Sequence, residues 1–234
     1  MKTLTLSTLI VVTFILSYEL QSQTTPLSGW QIGIGLGELP MDGSFKPSIT
    51  FGYHFNEKIY TGIVYQFRDK INRGASSFNA KSTEMEGLIS SSETVAQRFM
   101  LQFRYTPVKH APYISTGFVF NGKDTETMHF DAQKRSLGGD LYKGDIVIQQ
   151  TRPAGWGLAL GIGYQYNFKN GISANAEWTP AWFQFPDPAY SFGGSAELTK
   201  KAEAELKSRM DKGFKSSVTN YYKIFHIGVA YRIN

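Results

Sequence analysis

Arg68, Arg98, Arg104 and Arg232, with His54 and His226, fall in one phase of an alternating pattern, and Glu177 is the acid that shares it. A carboxylate confined with arginines forms a charge-assisted pair, frequently bidentate. In a narrow interior such a pair acts as a plug, because an unpaired charge there is costly. If the lumen stays open instead, its excess of arginine favours the passage of anions. Histidine brings nucleophile-relay chemistry only where a serine and an acid converge on it. His129, Asp131 and Ser136 are close along the chain but lie in a long connection, with no local His-x-Ser arrangement, and are expected to be solvated polar neighbours. No two histidines show ligand spacing, so neither a metal nor another cofactor is expected.

These residues are carried by strands. In GWGLALGIGYQYNF (155–168), Trp156, Leu158, Leu160, Ile162, Tyr164, Tyr166 and Phe168 take every second position, with small or amide side chains between. A period of two puts them on one face of a strand. The same alternation runs from Trp30 to Leu36, Ile49 to Phe55, Ile59 to Phe67, Phe99 to Tyr105, Ile114 to Phe120, Ile172 to Trp182 and Phe225 to Ile233, making eight strands. NEK (56–58), TPVKHA (106–111) and KNG (169–171) read as tight turns. Long connections cover about 38–46, 69–93, 121–154 and 184–217. Short turns at one end, long loops at the other and both termini on the short-turn side describe an antiparallel up-and-down transmembrane β-barrel.

Volume decides which face is inside. An eight-stranded barrel has an interior just wide enough for side chains to fill. Eight rows of Trp, Tyr, Phe, Leu and Ile would overfill it, as a soluble lipocalin-like barrel would require, and would leave a wall of glycine and alanine facing water. The bulky face therefore meets lipid. Trp30, Phe55, Tyr105, Phe168 and Tyr231 sit near the short-turn ends, and Phe67, Phe120, Trp156 and Trp182 near the long-loop ends, as two aromatic belts. The glycine runs GIGLG (33–37) and GWGLALG (155–161) sit inside strands with no helix following, which is the wrong setting for nucleotide binding.

Residues 1–22 have the form of a cleaved secretory leader, with Lys2, an apolar run at 4–16 and LQS (20–22) before Gln23. Residues 23–234 then form one barrel domain. No other stretch reaches the roughly 20 apolar residues of a spanning helix. The chain has no cysteine, which excludes disulfides, thiolate metal sites, a cysteine nucleophile and a lipoprotein anchor. Much of the formal net charge of +5 lies in the inward arginines and in Lys109 and Lys169 on the short turns. Nothing points to nucleic acid.

The leader, the eight alternating strands and the last segment FHIGVAYRIN (225–234) together resemble the small outer-membrane β-barrels of Gram-negative bacteria, the OmpA, OmpX and OmpW type. The resemblance covers essentially the whole mature chain. It implies location in the cell outer membrane, contact with its lipid and lipopolysaccharide, and delivery by the barrel assembly machinery, which reads the carboxyl-terminal strand. Such chains commonly end in Phe, whereas this one ends Ile233-Asn234. Architecture alone does not name a function.

In the last long loop, SAELTKKAEAELKSRM (195–210) spaces Leu198, Ala202, Leu206 and Met210 by four and predicts a short amphipathic helix outside the membrane. Its expected role is to pack over the barrel mouth. The sharper alternative is that Lys200, Lys201, Lys207, Arg209 and Lys212 bind a partner or outer-leaflet phosphates. The loops are otherwise expected to be solvated. The leading expectation is a non-enzymatic barrel with a plugged lumen and interacting surface loops, possible envelope partners included. The alternatives are a narrow passage for small anionic or apolar solutes, as in OmpW, and a lipid A-modifying enzyme.

Overall fold

The computed structural model describes residues 28–37, 46–108, 111–168, 171–184, 187–217 and 221–233. The leader at 1–22, Lys109, Lys169 and most of the first long loop lie outside the described residues. In chain order the first elements are β1 (Gly29–Leu36), β2 (Pro47–His54), β3 (Ile59–Gln66), β4 (Asp69–Arg73), helix α1 (Phe78–Lys81) and β5 (Leu88–Val95). They are followed by β6 (Arg98–Tyr105), β7 (Tyr113–Asn121), β8 (Asp124–Phe130), β9 (Lys134–Leu137), β10 (Asp140–Lys143) and β11 (Ile146–Arg152). The last are β12 (Gly155–Asn167), β13 (Ile172–Gln184), β14 (Ala189–Gly193), helix α2 (Lys200–Ser217) and β15 (Tyr221–Ile233).

Eight of the strands close a barrel in the order β1, β15, β13, β12, β7, β6, β3, β2, all neighbours antiparallel. Pairing followed around the wall from Arg232 through Gln31, Gly52, Gly62, Gln102, Gly117, Ala159 and Ala181 returns to β15 at Tyr222. That offset is the stagger a closed barrel requires of tilted strands. The bulky face is outside. Ile34, Phe118, Trp156 and Leu158 are each about 60% exposed, while the alternate residues are buried. Trp30 stacks on Phe51 at 5.0 Å, and Phe120 leans on Trp156 at 4.9 Å, one cluster at each end of the wall. Trp156 and Phe168, at the start of β12 and just past its end, are about 40 Å apart along the strand at a rise of about 3.3 Å per residue, or about 30 Å apart in height at a tilt of about 40°.

Among the described residues, the three later long connections are not solvated loops. β4, β5, β8, β11 and β14 continue the wall beyond the barrel as a five-stranded sheet ordered β14, β11, β8, β5, β4, and β9 pairs with β10 as a hairpin. One face of that sheet packs on α2, α1 and the hairpin around Met128, Phe130, Leu137, Ile146, Ile148 and Leu206. The expected helix exists, and it runs further than its apolar spacing indicated, from Lys200 to Ser217. Ala202, Leu206 and Met210 are buried against the sheet, and Leu198, just before the helix, is partly buried.

Candidate functional site

The interior is built in layers because successive inward side chains climb each strand two residues at a time. At mid-depth on β13, the Glu177 carboxylate is 4% exposed and fully engaged. Its Oε2 lies 3.1 Å from an Arg104 guanidinium nitrogen on β6 and accepts from the Tyr113 hydroxyl at 2.8 Å. Its Oε1 accepts from Gln102 Nε2 at 2.6 Å, Ser115 Oγ at 2.7 Å and Thr179 Oγ1 at 2.6 Å. Arg104 Nε donates to Gln102 Oε1 at 2.8 Å, and its guanidinium lies between the rings of Tyr60 and Tyr113, 4.9 and 4.7 Å from their centroids. A buried pair with every oxygen satisfied holds its place.

The small residues make room for this pair and the rings around it. A Cβ on Gly163 would run into the Tyr113 ring, and one on Gly62 into the ring of Tyr60. Gly157 likewise lies under Phe183, with Phe183 Cγ 2.8 Å from where a Cβ would stand. Farther toward the long-loop end, Val64, Met100, Val119, Ala159, Ala181 and Phe183 form a buried apolar collar. The interior is therefore crossed at two levels, by an ion pair and by an apolar layer above it.

The other sequence-predicted lumen residues take separate positions. His54 Nε2 lies 2.6 Å from Gln31 Oε1, and His226 Nδ1 lies 3.0 Å from Ser48 Oγ, both inside the wall. Arg232 faces inward on β15. Arg98 is buried at the long-loop end and donates from Nε to Asn121 Oδ1 at 2.7 Å, not to Glu177. Arg68 is not a lumen residue. β3 ends at Gln66, the chain leaves the barrel's phase, and Arg68 sits exposed with a guanidinium nitrogen 3.4 Å from Gln97 Oε1.

A second polar network joins barrel to cap. Asp124 accepts from the Ala96 backbone N–H at 2.7 Å, Asn121 Nδ2 at 3.1 Å and Arg152 at 3.2 Å. Glu126 accepts from Ser77 Oγ and Ser91 Oγ, each at 2.5 Å, and from Asn79 Nδ2, which ties α1 and β5 to β8. Glu93 stands opposite Glu126 across the sheet and pairs with Arg73 at 3.0 Å. Burial, and next the Glu126 charge, push the Glu93 carboxyl above its ordinary value against the pull of Arg73.

On α2 most basic groups are spoken for within the cap. Lys200 pairs with Glu203 at 2.9 Å, Lys207 with Asp211 at 2.5 Å, and Arg209 with Glu205 and, at 3.7 Å, Glu84. Lys201 and Lys212 are exposed. His129 and Ser136 are exposed, while Asp131 is paired with Arg135, so this trio is not assembled as a relay.

No family model matches the sequence, and no curated protein matches it. Solved structures that share its architecture include two from one bacterium. Acinetobacter baumannii CarO superposes with a TM-score of 0.53 at 12% identity, over 91% of this chain and 100% of that one. Acinetobacter baumannii CarO2 superposes with a TM-score of 0.55 at 9% identity, over 88% of this chain and 98% of that one. The fold is that of a small outer-membrane β-barrel. Identity this low carries the fold and no residue's role, so the lumen pair and the cap stand on their own geometry. Sequence reasoning singled out Glu177 and Arg104 but not Tyr60, Gln102, Tyr113, Ser115 and Thr179, which share their phase and complete the network.

Proposed function

We propose that this protein is a non-enzymatic outer-membrane barrel with a closed lumen, acting through its folded extracellular cap on the envelope or on ligands outside the cell. The observation that carries this reading is the Glu177 carboxylate, which holds Arg104, Gln102, Tyr113, Ser115 and Thr179 across the middle of the barrel. The apolar collar above it supports the same reading, since ions do not enter a dry constriction lined by Val64, Met100, Val119 and Phe183. A non-enzymatic role is supported by the histidines: His54 and His226 are engaged inside the wall, and Asp131, the acid nearest His129 in sequence, is paired with Arg135.

A second reading, a narrow passage for small anionic solutes, draws on the excess of arginine over acid along the interior. Swelling of vesicles that hold the mature chain, residues 23–234, tests the two. The first reading expects vesicles transferred into isosmotic glycine, glucose or chloride to swell no faster than protein-free vesicles. Rapid swelling in chloride, with a demonstrably folded barrel, would establish the second.

A further inference from the structure

The five-stranded sheet of the cap has two faces of opposite and unusual polarity. Its covered side carries the charges: Arg73 pairs with Glu93 and Arg152 with Asp124, while Glu126 accepts from Ser77, Ser91 and Asn79. Its open side carries little charge beyond Lys70 at one edge and the exposed His129 at the end away from the barrel. One row of cross-strand neighbours reads Asn72, Ser92, Thr127, Gln149, Ser191 from edge to edge. The next row toward the barrel holds Thr94, Thr125 and Thr151, with Lys70 alone as a cation at the edge. A sheet face turned to bulk water ordinarily carries Lys, Glu and Arg among its threonines. Here charge is withdrawn from the open side and hydroxyls and amides are left.

The orientation of this face is fixed by the barrel. Asp124 on the covered side bonds Asn121, an inward residue of β7, so the covered side continues the lumen and the open side continues the lipid-facing wall. Directly beneath it on the same strands and connections are Phe67, Phe120, Trp156 and Trp182 of the upper aromatic belt. The face therefore rises from the membrane surface for about 20 Å, at about 3.3 Å per residue, sideways to the headgroup layer.

We infer that this open face is a lateral docking surface for the saccharide part of outer-leaflet glycolipids. Hydroxyls and amides both donate and accept, as sugar hydroxyls do, and a row of them spaced by the strand separation meets a polyol along its length. Phosphate is the poorer match, since it calls for arginine or lysine clusters and the face holds one lysine. The absence of carboxylates from these two rows removes repulsion from the anionic layer around them. This rests on the outer-membrane reading above, and not on closure of the lumen.

The test counts glycolipids retained by the mature chain, using native mass spectrometry of protein placed in phospholipid nanodiscs with either core-bearing lipopolysaccharide or lipid A alone. The variants are Thr127→Glu with Gln149→Glu, and Thr127→Val with Gln149→Leu, which keeps shape but deletes the polar groups. Wild type should retain the core-bearing form about tenfold better than lipid A alone, and both variants should lose most of that preference. Equal retention of the two lipids would overturn the proposal in favour of phosphate or acyl contacts. Unchanged preference in both variants would overturn it outright. A heat-induced shift in gel mobility is checked first for each protein. Its absence from wild type would speak against the membrane barrel itself and is read before any glycolipid is added.

Discussion

At the scale of single residues, the interior depends on one carboxylate. Removing one partner of a buried ion pair strands the other, so Glu177→Ala should destabilise the barrel by about 3–5 kcal/mol. Tyr113→Phe removes one donor to that carboxylate and should cost about 2 kcal/mol. The urea midpoint of refolded protein orders the two, and a smaller loss for Glu177→Ala than for Tyr113→Phe would contradict the network. Gly163→Ala should act in the same direction, because the added methyl displaces the Tyr113 ring from the carboxylate. Combined with Tyr113→Phe its effect should be less than additive, since both act on one contact. Glu177 and Arg104 were legible from strand phase. Tyr60 and Tyr113 were not, because large aromatics otherwise mark the lipid face; they turn inward where glycines stand opposite them. Arg68 was misplaced because alternation carries no mark where a strand ends.

At the scale of elements, α2 and the outer sheet form a unit with its own core. Leu206 is fully buried, so Leu206→Ala should loosen the cap by about 2–5 kcal/mol while leaving the barrel intact. Hydrogen exchange should rise across Ala202–Met210 and in β8 and β11, with β12 and β13 unchanged; uniform change would deny the cap its independence. Glu93 adds a pH dependence. Its folded-state value is raised by burial, Glu126 and Asp124, with Arg73 and Arg152 opposing, so the stability it contributes is present below the ordinary 4.5 and is lost as pH rises through the raised value. Glu93→Gln should therefore protect β5 and β8 better than wild type at pH 7 and match it near pH 4, after correction for intrinsic exchange. Of this unit, only the helix was legible in outline, from residues spaced by four. The strands were hidden because Met128 with Phe130, and Ile146 with Ile148, are apolar pairs too short to stand out among threonines, glutamines and serines. Their partners come from distant connections.

At the scale of the whole molecule, the sequence pattern carried the barrel because lipid imposes one rule on every strand: large apolar residues outward, small or polar ones inward. The proposed closure of the lumen rests on layers contributed by many strands, and no single stretch displays it. Folded wild type should resist SDS until heated and then shift in mobility; equal mobility before and after would argue against the barrel. The central claim is that this barrel is shut, with its function on the outside. Single-channel recording of the folded mature chain in a planar bilayer, with unequal salt on the two sides, tests it most directly. Silence from wild type is the predicted result. Steady openings with a reversal potential favouring anions would contradict it and make Arg104 the lining of a pore instead of half of a plug.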